Sequence, residues 1–310
     1  MNKLTKIGAT ALAGSLVAFS VNAAEMSVSG GASITYSNTG ADVTGNNFTM
    51  GDSLNFSTSG ETDGGLMITY SMEIDGGAED DHSVKIGGDF GTLTFHGHGG
   101  STPLGAADDK SPNAYEESWD VVSGADTNMI NGNGQDNMFV YTSPAMSGLT
   151  ATISYHRAST ASATSGTSLG LAYSPEMVEG LSVGYAMEED ESTAGTAIDE
   201  TSMYITYTSG PISVGFTSTE SDNPTDASDK EFQSAGITYA VNDDFSVGYH
   251  VSSLETPNNA SDSDQESSGF SFSYTMGGMS LKGAVNDVDN IGFAATDDRD
   301  GAEIGVSFAF

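Results

Sequence analysis

The stretch Tyr173–Tyr185, YSPEMVEGLSVGY, closes one extended segment on an aromatic, turns, and restarts an alternating segment at Leu181. The same unit returns at Tyr207–Phe216 (YTSGPISVGF), Tyr239–Tyr249 (YAVNDDFSVGY) and Tyr274–Gly283 (YTMGGMSLKG). The restarting residues Leu181, Ile212, Phe245 and Met279 are 31, 33 and 34 residues apart. In each copy apolar residues take one face of the extended chain, and Ser, Thr and Gly take the other. Small polar side chains bury little apolar area, so the Ser/Thr/Gly face is not a packed core. The apolar faces must then meet something outside the chain. Lipid meets that need, and a sheet in lipid has to close on itself.

Composition narrows the class. Only 37% of the 310 residues are hydrophobic, while glycine supplies 39. Beyond the first 24 residues no apolar run is long enough to cross a bilayer as a helix, which excludes a helical membrane protein. Cysteine is absent, which rules out disulfides and thiolate metal sites and is compatible with an oxidising envelope. The N-terminus reads as a secretory signal: Lys3 and Lys6 form a basic region, Ile7 to Phe19 a short apolar one, and Val21-Asn22-Ala23 a small-residue cleavage site. Residues 1–23 are therefore expected to be a signal peptide and 24–310 a barrel, with cleavage after Ala24 as the rival. Cleavage leaves six cations (Lys85, Lys110, Arg157, Lys230, Lys282, Arg299) against 43 carboxylates, a net charge of −37. Such a field repels nucleic acid and gathers cations.

Alternation runs outward from the repeats in both directions. Met26, Val28, Ala32, Ile34 and Tyr36 oppose Ser27, Ser29, Ser33 and Thr35; Leu66, Ile68, Tyr70, Met72 and Ile74 oppose Thr69, Ser71, Glu73 and Asp75. Leu93 and Phe95 oppose Thr94, His96 and His98. From Gly99 to about Asp136 no period survives, and a loop that long is usually functional or disordered. The pattern resumes at Asn137 and ends with Ile304, Val306, Phe308 and Phe310. Sixteen strands of roughly 9–11 residues result, with Met26–Asn38 expected to pair with the strand ending at Phe310. Short connections are expected to be periplasmic turns. The acidic stretches Asp75–Asp81, Glu188–Glu200, Thr219–Lys230, Ser252–Glu266 and Asn286–Arg299 are expected to be long extracellular loops. Tyr173, Tyr207, Tyr239 and Tyr274 share one parity and one height, as an interfacial girdle would.

The chain resembles bacterial general porins of the trimeric, sixteen-stranded alphaproteobacterial type. The resemblance rests on Phe56–Leu66 (FSTSGETDGGL), Lys85–Leu93 (KIGGDFGTL), Asp136–Pro144 (DNMFVYTSP) and Gly305–Phe310 (GVSFAF), in that order. It implies an all-β transmembrane barrel, a homotrimer and passive diffusion of small hydrophilic solutes without catalysis. It also implies that residues 99–136 are a third loop folded into the lumen, and that Phe310 is an assembly signal. One departure matters. Such porins oppose an acidic third loop with wall arginines, whereas the mature chain has only Arg157 and Arg299, both near loop positions. Lys85 and Lys282, with His96, His98 and His156, are the candidate wall cations instead.

The expected pore lining is Glu73, Asp75, Lys85, His96 and His98 on the wall, with Asp108, Asp109, Glu116, Glu117 and Asp120 in the constricting loop. The expected function is an outer-membrane channel for small hydrophilic solutes that prefers cations. No cofactor is expected. His96 and His98 sit two apart on one strand face but lack an assignable third ligand. Asp262, Asp264 and Glu266, and Asp287 and Asp289, offer oxygen ligands for Ca²⁺ without an EF-hand pattern. Two rivals remain: a substrate-specific channel, with Tyr115 and Trp119 as candidate lumen aromatics, and a secreted soluble β adhesin.

Overall fold

Alternating side chains become a barrel in the computed structural model, which describes residues 26–40, 47–132, 134, 136–157, 164–192, 197–260 and 263–310. The expected signal segment and part of the candidate Ca²⁺ group, Asp262, lie outside these residues. Sixteen strands occur among them: β1 (Ser27–Asn38), β2 (Phe48–Glu61), β3 (Met67–Asp75), β4 (Ala78–Gly88), β5 (Gly91–His98), β6 (Met138–Thr142), β7 (Leu149–His156) and β8 (Thr164–Tyr173) form the first half. The second half comprises β9 (Leu181–Ser192), β10 (Ala197–Ser209), β11 (Ile212–Asp222), β12 (Lys230–Ala240), β13 (Phe245–Glu255), β14 (Gln265–Met276), β15 (Met279–Asp289) and β16 (Arg299–Ala309). Every strand pairs antiparallel with its neighbours in sequence, and β1 closes on β16. The closure runs from Gly31 opposite Ala309 to Asn38 opposite Ala302. Gly30 and Phe310 complete it by exchanging backbone hydrogen bonds of 2.8 and 3.0 Å.

The expected parity holds over most of the wall. Ile34, Met50, Tyr70, Tyr185, Ile205, Phe216, Tyr249 and Phe270 are exposed on the outside. Ser168, Ser202, Thr217, Ser234, Ser252 and Ser271 are buried on the inside. Aromatic pairs such as Tyr36 with Phe48, ring centroids 5.0 Å apart, join neighbouring strands across the outer face.

Three expectations need correction. Strand length is less uniform than roughly 9–11 residues: β6 has 5 residues, β5 and β7 have 8, and β2 has 14. Two of the acidic stretches, Asp75–Asp81 and the described residues of Glu188–Glu200, are mainly strand, whereas Thr219–Lys230, Ser252–Glu266 and Asn286–Arg299 are mainly connections with acidic strand ends. Between β3 and β4 only Gly76 and Gly77 intervene, and β9 continues through Glu188–Glu191 to Ser192. Asp199 and Glu200 are paired in β10, and Glu220 and Asp222 in β11. Once a strand rises above hydrocarbon its outer face need not be apolar, so the hydrophobic signal ends before the hydrogen bonding does.

Finally, the inner face does contain a core. Phe232, Leu254 and Val288 take the inward parity of β12, β13 and β15 and are almost wholly buried. With Trp119, Val122, Ala125, Ile130 and Ile291 they form an apolar cluster inside the barrel.

The raised strand ends oppose like charges directly. Asp199 faces Glu189 on one side and Asp222 on the other; Glu231 faces Glu220 and Glu255. Glu266 faces Asp289, and Asp287 faces Asp300. Directly opposed like charges destabilise a strand pair, and salt screens exposed ones. Thermal unfolding of the detergent-solubilised protein should therefore shift upward as NaCl rises from about 0.01 M to about 0.15 M, where the screening length falls from ~30 to ~8 Å. A melting temperature independent of salt over that range would contradict this register.

Candidate pore constriction

The described residues of 99–136, between β5 and β6, turn inward and lie along the inner wall. Thr102 Oγ1 donates to Glu188 Oε2 at 2.5 Å, and the Leu104 amide donates to Ser168 Oγ at 3.2 Å. Ser202 Oγ donates to the Ala107 carbonyl at 2.9 Å. The Lys110 amide donates to Thr217 Oγ1 at 3.3 Å, and the Ser111 and Ser234 hydroxyls are 2.7 Å apart. Farther along, the Ala114 amide donates to Ser271 Oγ at 3.1 Å, and Tyr115 OH donates to Glu303 Oε1 at 2.5 Å. Asn286 Nδ2 donates to the Glu117 carbonyl at 2.6 Å, and Gln265 Nε2 to that of Ala125 at 3.2 Å. Through these contacts the loop crosses the wall from β8 to β16, and the Ser123 amide donates to the Thr39 carbonyl just beyond β1 at 3.0 Å, while no residue of β1 to β4 is buried.

The repeats that define the sheet also make room for this loop. A Cβ on Gly236 would come within 2.1 Å of the Pro112 carbonyl oxygen, and one on Gly248 within 2.7 Å of the Ala114 nitrogen. Gly248 is the glycine of the FSVGY copy. Its lack of a side chain lets loop backbone lie against strand backbone.

Two apolar contacts hold the loop as well. Leu104 and Ala107 pack with Ala186, and Tyr204 lies against them. Trp119 meets Phe232 edge-on at 5.2 Å and His250 at 5.5 Å. A single hydrogen bond nets about 0.5–1.5 kcal/mol because water competes for both partners. Burial of one large side chain contributes about 1.5–3 kcal/mol, so each apolar contact outweighs any one neutral hydroxyl or amide contact and is comparable with the bonds to the Glu188 and Glu303 carboxylates, about 1.5–3 kcal/mol each.

The expected site residues fall into two groups. On the uncovered wall, Glu73 accepts from Asn55 Nδ2 at 3.1 Å. Lys85 lies opposite Thr69 and Thr94, and His96 opposite Ser83. Asp75 is the last residue of β3, opposite Ser53 and Ala78 at the rim. His98 ends β5, with Nδ1 against the Asp80 carbonyl and 3.9 Å from Asp136 Oδ1.

In the loop, Asp108 is buried and accepts from the Gly132 amide at 3.2 Å. Glu117 accepts from Asn113 Nδ2, and its own amide donates to Asp120 Oδ2 at 2.9 Å. Glu116, Glu117 and Asp120 bring one oxygen each within 4.8 Å of one another, as do Glu73, Asp80 and Asp81. Neither His96 with His98 nor Asp264 with Glu266 belongs to such a group among the described residues. A small cavity in the loop is lined by Asp108, Asp109, Glu117, Asp120, Trp119 and Phe232, among others.

Burial changes the chemistry of these acids. It pushes the Asp108 and Glu116 carboxyls up to about 7. Burial, reinforced by the Asp120 hydrogen bond, lifts Glu117 to about 10. Asp109 is also raised by burial, and Tyr115 is raised by burial and by Glu303. Near neutral pH the loop therefore carries less negative charge than its composition suggests.

Other residues at the site are not apparent from sequence patterning. Glu188 and Asp190 face inward and are buried, but they alternate with outward acids, which erases any amphipathic signal. Phe232, Leu254 and Val288 have a readable signal: an apolar residue on the Ser/Thr parity. The cations are tied into the same region. Arg299 donates to Asp297 at 2.7–2.8 Å and to the Ser123 carbonyl at 2.7 Å. Lys282 Nζ lies 5.3 Å from the Tyr115 ring centre.

A closed barrel with a polar inner face, an apolar outer face and a loop laid across its interior defines a transmembrane channel of the porin class. The Gram-negative porin family model matches residues 8–290, and the chain belongs to that family. Solved structures with the same fold include the anion-selective porin from Comamonas acidovorans, with a TM-score of 0.71 and 16% identity over 93% of this chain and 100% of that one. In-vitro folded OmpT, an outer membrane protein of Vibrio cholerae, has a TM-score of 0.72 and 15% identity over 94% of this chain and 99% of its own. OmpT in its trimer form has a TM-score of 0.69 and 14% identity, covering 93% and 100%. No curated protein matches. Family and fold indicate an outer-membrane channel rather than an enzyme.

A carboxyl raised in the folded state binds its proton more tightly there than in the unfolded chain. Its effect on stability therefore becomes unfavourable as pH climbs from the unfolded value through the folded one. Ionisation of Asp108 at about 7 should loosen the docked loop. Hydrogen exchange across 100–118, corrected for intrinsic rate, should quicken from about pH 6 to about pH 8. Asp108→Asn should remove part of that increase; an identical pH response in the variant would contradict the assignment.

Proposed function

We propose that the protein passes small hydrophilic solutes and ions passively across the outer membrane, prefers cations, and works as a homotrimer. The observation that carries the selectivity is the charge balance around the lumen. Glu73, Asp75, Asp120, Glu303 and the partly ionised Glu116 confront Lys85, Lys110 and Lys282, and Arg299 is already engaged by Asp297. Fixed negative charge in a narrow aqueous path raises the local cation concentration. The anion-selective Comamonas acidovorans protein shares the fold at 16% identity, so its selectivity is not carried over to this chain. The trimer form of OmpT supports the assembly proposed here. So does the outer face of β1 and β2, which stays apolar to the loop-end rim through Ile34, Tyr36, Phe48 and Met50.

Other roles in this reading concern the membrane. Tyr173, Tyr207 and Tyr239 are exposed on the outward parity and Tyr274 is partly covered beside Phe245, which supports an interfacial girdle. Phe310 is exposed at the barrel seam, as suits an assembly signal. The general channel is favoured over a substrate-specific one because Trp119 is buried and Tyr115 is held by Glu303, leaving neither as an open stacking surface.

Reversal potentials in planar bilayers across a KCl gradient test the proposal. The unmodified pore should favour K⁺ over Cl⁻, more strongly at low salt. Joint replacement D108N, D109N, E116Q and E117Q should weaken that preference modestly at neutral pH, where Glu117 is protonated and Asp108 and Glu116 only partly ionised. The weakening should grow at higher pH. Anion preference in the unmodified pore would overturn the reading.

A further inference from the structure

We propose that Trp119 is the positioning residue of the constriction: its burial against the wall, more than the hydrogen bonds along the loop, sets the aperture and the direction of the loop carboxylates. The inference rests on the channel reading above. Among the described residues the loop shares two buried apolar clusters with the wall. Leu104 and Ala107 pack with Ala186 near its start. Trp119, Val122, Ala125 and Ile130 pack with Phe232, Leu254, Val288 and Ile291 farther on. Between these anchors runs the arc 108–118, which carries Asp108, Asp109, Glu116 and Glu117. A chain held at both ends has its span determined by the anchors.

The second anchor also determines orientation. Trp119 is turned to the wall, with its ring edge-on to Phe232 at 5.2 Å and to His250 at 5.5 Å. Its neighbour Asp120 is exposed, and Asp120 Oδ2 accepts from the Glu117 amide at 2.9 Å. Seating Trp119 therefore fixes the turn that gathers Glu116, Glu117 and Asp120. The hydroxyl contacts are weaker determinants. Their partners Thr217, Ser234 and Ser271 belong to a polar wall, and water can replace each of these bonds if the loop lifts. Water offers no comparable replacement for the apolar surface of Trp119.

The wall contribution is specific to this site. Phe232, Leu254 and Val288 depart from the Ser/Thr/Gly rule of the inner face, and all three converge on the same cluster. An inward Phe has no role in an aqueous wall unless something apolar covers it, and Trp119 does so.

Liposome swelling with sugars and polyethylene glycols of graded size, together with bilayer reversal potentials, tests the proposal. Trp119→Ala should admit larger solutes than the unmodified pore and shift the KCl reversal potential toward zero, while Trp119→Phe should restore both. Ser234→Ala should move either quantity less than Trp119→Ala does. Phe232→Ala, which deletes the same contact from the wall side, should reproduce the Trp119→Ala result. It decides the matter if Trp119→Ala does not assemble, with assembly judged by heat-modifiable mobility. A folded Trp119→Ala or Phe232→Ala pore with the unmodified exclusion limit and reversal potential would overturn the inference. That outcome would leave the channel reading intact. An unmodified protein that conducts nothing would overturn both.

Discussion

Hydrocarbon offers no partner to a peptide N–H or C=O, and every other feature of this protein answers to that fact. A sheet with an edge leaves a row of such groups unpaired. Pairing β1 with β16, and completing the seam through Gly30 and Phe310, removes the edge. Once the sheet is closed, the period-2 geometry of a strand assigns alternate residues to lipid and to the lumen. Lipid accepts only apolar side chains, and the lumen accepts small polar ones. The repeated S-V-G turn-and-restart unit expresses this requirement in its simplest form.

A wide barrel poses a second problem, because a polar wall by itself neither sizes nor sorts solutes. The loop at 99–136 addresses this by lying across the wall from β8 to β16. It is held by polar contacts along its length and by apolar packing at two places. The wall glycines Gly236 and Gly248 let its backbone approach closely. Burial of the loop in turn raises its carboxyls, so the charge that solutes meet depends on pH as well as on composition.

How much of this is legible in the sequence depends on whether a feature has a period. The sixteen strands, the closure and the inward loop follow from alternation, from the one long aperiodic stretch and from the resemblance. The acidic strand ends were misread as loops because alternation marks contact with lipid, not strand pairing. Glu188–Glu191 is strand although all four residues are acidic. Phe232, Leu254 and Val288 were legible in principle as apolar residues on the wrong parity. What covers them was not, since Trp119 is more than a hundred residues from Phe232 in the chain. The protonation of Glu117 was invisible for a similar reason: it depends on burial by distant strands.

The central claim is that one face of each strand points into the lumen, open to water where the loop does not cover it, and the other meets an apolar environment. The absence of cysteine makes it directly measurable. Single cysteines placed in turn at Thr69, Tyr70, Ser71, Met72 and Glu73 of β3, in reconstituted protein, can be challenged with a membrane-impermeant thiol reagent small enough to enter the lumen. The account predicts fast labelling at 69, 71 and 73 and protection at 70 and 72. Uniform labelling along the strand, or protection at 71 and 73 with labelling at 70 and 72, would contradict it.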